Sequence, residues 1–202
     1  MEELQDYSGE FIPNIRYEDF SKTALARLLN AYCREILLLD LYWLGHVEKR
    51  LGEEVALNCL MENWVRMGKY EVKWAMEALN IKGNDVATYA KALQMVATMA
   101  QGVFKWEFDL KNNNLLVLTL VDCPALTNLE KNNPERIPFI CHTMDLAVDK
   151  AYAAAVNPAI QVKPLKLPPR ESKSDIACQW EFKLEARPRD EVIWAERPIG
   201  EP

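Results

Sequence analysis

Glycine and histidine are scarce in this sequence of 202 residues, and long apolar runs are missing. Its seven glycines are scattered singly and form no glycine-rich loop after a strand, so we expect no nucleotide cofactor. The two histidines, His46 and His142, leave little choice of general base or metal ligand, and neither GxSxG nor HExxH occurs. No run approaches the roughly 20 apolar residues of a membrane span. These absences argue against nucleotide-dependent enzymes, serine hydrolases of the GxSxG type and membrane-spanning proteins.

A basic surplus is missing as well. Lys and Arg number 24 against 30 Asp and Glu, which gives a formal net charge of −6. Nucleic acids and anionic membranes both attract basic surfaces, so we expect neither as a partner. The first 13 residues, MEELQDYSGEFIP, lack the basic and then apolar order of a signal peptide. The sequence therefore predicts a cytoplasmic protein.

The length and composition favour one soluble domain. Hydrophobic residues make up 50% of the chain and charged residues 27%, as in ordinary globular proteins. We predict a single domain over 1–202, with an irregular arm at 1–16 and a helical part at 17–102. A sheet plus a helix follow at 103–186, and a polar tail at 187–202. Within the tail only Val192, Ile193 and Trp194 form an apolar group that could dock on the domain or on a partner.

Apolar residues recur at three- and four-residue steps over most of the first half. The first predicted helix starts after Asp19 or Ser21 and ends near Gly52, the second ends at 80–83, and the third runs from 84 or 85 to Gly102. The first has an unusually long apolar stripe, made of Leu25, Leu28, Leu29, Tyr32, Ile36, Leu39, Trp43 and Val47.

After residue 102 the apolar period changes to two. Segments 103–110 and 115–121 are predicted strands joined by an Asn-rich turn, and the second, apolar on both faces, is placed centrally in the sheet. A loop leads to a fourth helix over 138–156. Two closing strands follow, the first an edge strand or a bulged one because it contains Pro164. The sequence thus predicts an α+β fold, with three helices, a hairpin, a helix and a second hairpin forming a small antiparallel sheet packed on the helices.

The final strand places Cys178 among inward-pointing apolar side chains. Cys123 ends the second strand and Cys141 begins the last helix, so the three thiols can converge. With His142 or Glu48 as a fourth ligand they would make a tetrahedral zinc site, and Cys178 is also a candidate nucleophile. The alternative is ordinary packing, because free cysteine is among the most buried residue types.

The tryptophans offer a second candidate site. Trp43, Trp64, Trp74, Trp106 and Trp180 lie on stripes that are predicted to face inward. Such residues are usually core, but together they could line an apolar ligand cavity between the helices and the sheet.

Basic side chains flank the proline-containing loop before the final strand. Lys166, Arg170 and Lys173 are the three cations of this segment. They are either solvated or positioned to meet a carboxylate on an entering ligand.

Several short motifs carry a resemblance to known families. DYSGEF at 6–11, EDFSKTALARLL at 18–29, Cys123-Pro124, Cys141, Asn157-Pro158 and LPPRESKSDIACQWEFKLE at 167–185 resemble a family of uncharacterised prokaryotic cytosolic proteins. The C-terminal half is similar to the L-2-amino-thiazoline-4-carboxylic acid hydrolase-like family and, distantly, to the small-molecule-binding 4-vinyl reductase domain.

The resemblance implies an α+β domain with a ligand cavity and a cysteine cluster able to hold zinc. Haem is not expected, since the proximal histidine of the related haem sensors has no counterpart here. The first functional hypothesis is a protein that binds a small apolar or carboxylate-bearing molecule. The alternatives are a metal- or cysteine-dependent hydrolase of a cyclic carbon–nitrogen bond, and a subunit that forms a homodimer through its tail or an edge strand.

Overall fold

A computed structural model of the chain describes residues 3–99 and 103–185. The described residues form an α+β fold, as the sequence predicts. The helices are α1 (Lys22–Leu51), α2 (Glu53–Ala78), α3 (Val86–Leu93), α4 (Pro124–Asn132) and α5 (Asp145–Val156). The strands are β1 (Lys105–Asn112), β2 (Leu115–Asp122), β3 (Ile160–Lys166) and β4 (Cys178–Leu184).

Helices α1 and α2 form a long antiparallel hairpin. Ser21 caps α1 by accepting a hydrogen bond from the Ala24 amide, and Gly52, with φ of 89°, ends it. At this positive φ a residue with a side chain would be strained, so the glycine allows the chain to reverse at one position. Trp64 of α2 donates to Asp40 of α1 at 3.1 Å, which fixes the two helices side by side.

Every residue of α1 is at least partly exposed. The predicted apolar stripe is present, but much of it faces away from the domain; Leu39, for example, is 71% exposed. By contrast α2 buries seven residues, among them Leu60 and Val72.

Two helix predictions need correction. The third helix was predicted to reach Gly102, but α3 ends at Leu93 and gives way to a 3-10 turn at Ala97–Met99, where the Thr98 hydroxyl bonds to Glu71. Residue 102 lies outside the described part. The loop predicted after residue 123 contains α4, because the Cys123 thiol accepts the Leu126 amide as a helix cap and is followed directly by a proline.

The fourth predicted helix is divided by its backbone geometry. Residues Pro138–Met144 form a π-helical turn, and the α-helix proper is α5. It ends before Asn157-Pro158 as predicted, since the residue before proline is disfavoured in the α conformation.

The sheet is antiparallel throughout, with the order β1-β2-β4-β3. The central position of β2 and the edge position of β3 are both confirmed, and the β3 ladder is irregular between Pro164 and Lys166. On the inner face Leu118 lies opposite Trp180, and Leu120 opposite Cys178. This face packs on helices to form the main core, whose side chains include Tyr89, Leu116, Tyr152 and Phe182.

Within the described residues, no helix has the length and apolar character needed to span a membrane. The predicted docking group of the tail, Val192, Ile193 and Trp194, lies outside the described residues.

Candidate functional site

A cleft of about 1040 Å³ opens between α1, α2 and the segment that follows α3. Its walls are largely apolar and aromatic. They are formed by Ile36, Leu39 and Trp43 of α1, by Trp64, Met67 and Trp74 of α2, and by Met95 and Val96. Aromatic and aliphatic walls with a few polar groups are typical of small-molecule sites.

The charged groups of this cleft are mainly acidic. Asp40, Glu62 and Glu71 line it, against the single cation Arg66 among its described lining residues. Asp40 accepts the hydrogen bond from the Trp64 indole. Burial raises the pKa of Asp40, an effect that the Trp64 hydrogen bond partly opposes.

Glu71 lies in the floor of the cleft and is only 9% exposed. Its Oε2 accepts hydrogen bonds from the Tyr152 hydroxyl and from the Thr98 hydroxyl, the latter at 3.3 Å. The two hydroxyls are also 3.1 Å apart. Burial raises the pKa of Glu71, while the hydrogen bonds from Tyr152 and Thr98 lower it. The network therefore holds a buried carboxylate in place at the end of an aromatic cleft.

A glycine on α2 allows this network to form. The ring of Tyr152 lies directly against Gly68, where an added Cβ would come within 1.8 Å of the ring atom Cδ1. Any larger residue at 68 would push α5 away from α2. The close approach brings the Tyr152 hydroxyl to Glu71, one helical turn further along α2.

The three predicted cysteines lie in or against the main hydrophobic core. Cys123 caps α4, Cys141 lies in the π-helical turn, and Cys178 begins β4. Burial is the main cause that raises the pKa of Cys123 to about 11 and that of Cys178 to about 12, and it raises the pKa of Cys141 further. The Asp145 charge also raises all three. At neutral pH these thiols are protonated, which suits packing better than nucleophilic attack.

The arrangement does not fit a metal ion. Across residues 3–99 and 103–185, no three His, Cys, Asp or Glu side chains lie close enough together to hold one. The Cys178 thiol instead accepts the Trp180 indole N–H at 3.3 Å. A zinc site therefore stays a prediction from the sequence.

The two candidate fourth ligands are engaged elsewhere. His142 Nε2 is 2.7 Å from the Pro168 carbonyl oxygen, which ties the π-helical turn to the loop before β4. Glu48 receives two hydrogen bonds from the Arg136 guanidinium, the shorter at 2.6 Å, and Arg136 also binds Glu53. Neither side chain is shown in contact with a cysteine.

Sequence reasoning missed two aspartates of α5. Asp145 and Asp149 are half-buried as residues, yet burial raises the pKa of the Asp145 carboxyl to about 7. It also raises the pKa of Asp149 well above its ordinary value, with the Asp145 charge adding to the effect. The sequence feature that could have identified them is their four-residue spacing, which puts both carboxylates on one side of the helix near Cys141 and Tyr152.

The candidate ligand-binding tryptophans do not line one cavity. Trp43 and Trp64 face the cleft, together with Trp74. Trp106 of β1 borders a separate hollow of about 430 Å³ with Phe104 and Phe108. Trp180 is 2% exposed and belongs to the core.

The basic residues of the proline-containing loop are largely paired with acidic neighbours. Arg170 forms two hydrogen bonds to Glu130 of α4, at 2.9 and 2.5 Å, and lowers the pKa of that carboxyl. Lys166 lies 3.8 Å from Asp175. Lys173 is exposed. Two of the three cations are thus paired with carboxylates of the chain itself, one on α4 and one in the loop.

Comparison with protein families gives a match over most of the chain. Residues 18–184 match the model of a family described as a family of unknown function (DUF6125). No curated protein and no solved structure matches the chain.

Proposed function

We propose that this chain, which belongs to the DUF6125 family of unknown function, binds a small, largely apolar molecule that carries an amine. The binding site is the cleft between α1 and α2. The observation that carries the proposal is the buried carboxylate of Glu71 at the floor of a cleft walled by Trp43, Trp64 and Trp74.

The chemistry of the walls favours a cation over an anion. An alkylammonium group gains from the faces of tryptophan rings, and more so where water is excluded. It can also donate hydrogen bonds to Asp40 and Glu71, which charge assistance strengthens. A carboxylate-bearing ligand, the other option from the sequence, would face three acidic side chains and one arginine.

The hydrolase hypothesis has less support. Cys178 is 8% exposed, its thiol accepts a hydrogen bond from Trp180, and burial raises its pKa to about 12. A nucleophilic cysteine needs a lowered pKa and access to the substrate. We keep the cytoplasm as the proposed location, on the acidic composition described above.

A matched series of probes tests the proposal. Titration calorimetry of the full chain with 2-phenylethylamine, 2-phenylethanol and phenylacetate compares a cation, a neutral group and an anion on one aromatic frame. We expect the amine to bind at least about tenfold more tightly than phenylacetate, a difference of about 1.4 kcal/mol. Asp40→Asn and Glu71→Gln should each reduce this preference.

Glu54→Gln, on an exposed position of α2, is the matched control and should leave the preference unchanged. Equal or tighter binding of phenylacetate would contradict the amine proposal. Absence of binding by all three probes, with the chain folded by circular dichroism, would contradict the cleft as a binding site for this ligand class.

A further inference from the structure

One side of α1 presents a large, partly exposed apolar surface, against which only the Tyr17 hydroxyl makes a described hydrogen-bond contact, with the Tyr32 hydroxyl at 3.4 Å. Eight large apolar side chains between residues 29 and 43 are 41–71% exposed. At 100° per residue six of them fall within an arc of about 140° on the helix, and Leu38 and Leu41 fall outside it. We call this surface the α1 apolar face: Leu29, Tyr32, Ile36, Leu39, Tyr42 and Trp43.

The size of this face is unusual for a monomer. With about 200 Å² for each fully exposed large side chain, the observed exposures amount to about 650 Å². The largest apolar patch of a typical monomer is about 300–600 Å². Each partner in a standard protein interface contributes about 800 Å², polar rim included. The face therefore supplies most of the area that one partner contributes to a stable dimer.

The position of the face on its helix suits a second copy of the same chain. It spans residues 29–43 and so is centred near residue 36, and α1 itself, Lys22–Leu51, has its midpoint there. Two α1 helices packed antiparallel around a two-fold axis at this point would place face on face along their whole length. Such self-complementarity is what a two-fold symmetric dimer requires.

We infer that two copies of the chain associate through the α1 apolar face. This inference does not rest on the proposed amine binding. It differs from dimerisation through the tail or an edge strand, which the sequence suggested. Ile36, Leu39 and Trp43 belong both to this face and to the cleft wall, so the partner's α1 would also cover the open side of the cleft.

The sequence of the chain's own tail matches the face less well. Residues 186–202, which lie outside the described part, contain four large apolar residues, Val192, Ile193, Trp194 and Ile199. A helix of 30 residues is about 45 Å long, and three adjacent side chains cannot cover an apolar face that extends over half of it. A second α1 matches it in length and composition.

Sedimentation equilibrium of the full chain tests the inference. We expect a mass of twice the 23.2 kDa chain at micromolar concentration. Leu39→Arg places like charges near the two-fold axis and should raise the dimer dissociation constant by about 30-fold or more, as a central interface residue does. Because Leu39 is 71% exposed in the single chain, the variant should keep its circular dichroism spectrum.

The matched control is Leu79→Arg at the end of α2, where the leucine is 56% exposed. It should leave the mass at that of a dimer. A monomeric wild-type chain, or a dimer that Leu39→Arg does not weaken, would overturn the inference. So would loss of the dimer on Trp194→Ala, which would assign the contact to the tail, or flotation of a monomer with phosphatidylcholine vesicles, which would assign the face to a lipid surface.

Discussion

The two halves of the molecule treat their apolar side chains in opposite ways. In the sheet half, Leu116, Leu118, Trp180 and Phe182 are at most 2% exposed and pack against helices. In the α1 half, leucines and a tryptophan remain exposed along the helix, although the same residue types are buried in the sheet half. The sheet half is a complete core that holds itself together. The α1 half buries fewer of its apolar side chains, and both the proposed ligand site and the proposed dimer contact rest on these exposed residues.

The largest expected effect is the difference in the free energy of unfolding between two Trp→Ala variants, one in each half. Trp180→Ala should lower the free energy of unfolding by about 3–5 kcal/mol, because it leaves a cavity under the sheet and removes the donor to Cys178. Trp43→Ala, at a residue 42% exposed, should lower it by about 1 kcal/mol or less, measured under monomeric conditions. Urea unfolding of the full chain measures both.

Equal losses in the free energy of unfolding for the two variants would contradict this difference between the halves. They would mean that α1 is as much a part of the core as β4 is. A small loss for Trp180→Ala would equally contradict the description of the sheet half as the stable part.

The sequence predicted the sheet half better than the α1 half. Strict alternation around Cys178, Trp180 and Phe182 fixes which face is buried, because a strand offers only two faces. For α1 the period showed an apolar stripe but not what covers it, since a stripe looks the same whether its partner is the same chain or another.

Long-range contacts were the other feature beyond sequence reasoning. Glu71, Thr98 and Tyr152 come from three separate elements and meet only because Gly68 lets α5 approach α2. The nearness of Cys123 and Cys178 was predictable, because β2 ends and β4 begins at the same edge of an antiparallel pair. The presence of the Asp145 carboxyl near the cysteines was not predictable.

Asp145 gives the second prediction, which concerns a weakness inside the stable half. Its folded pKa of about 7 lies above the ordinary value of 3.8, so the folded chain binds the proton more tightly than the unfolded chain. The contribution of Asp145 to stability should therefore fall as the pH rises from about 4 to 7 and stay low above 7. Asp145→Asn should raise the free energy of unfolding by about 2–4 kcal/mol at pH 8 and much less at pH 5.

Urea unfolding at the two pH values measures this effect. Glu107→Gln, at an exposed position on β1, is the control and should change stability by little at either pH. If Asp145→Asn is less stable than the unsubstituted chain at pH 8, the prediction is wrong. That result would show that the charged carboxylate stabilises the folded state, for example by binding a cation.

The smallest expected effect concerns the contact that joins the two halves. Arg136, in the 3-10 turn before the π-helical turn, binds Glu48 at the end of α1 and Glu53 at the start of α2. Because both carboxylates are substantially exposed, Glu48→Gln should cost only about 0.5–1 kcal/mol, and the cost should shrink in 1 M salt. Glu53→Gln, which removes the other carboxylate bound to the Arg136 guanidinium, is the matched control; Glu53 is more exposed, so this variant should cost less stability.

Glu48→Gln should also leave the zinc content of the purified chain unchanged, since the Glu48 carboxylate binds Arg136. A fall in zinc content would show that Glu48 is a metal ligand and that the end of α1 lies near the cysteines.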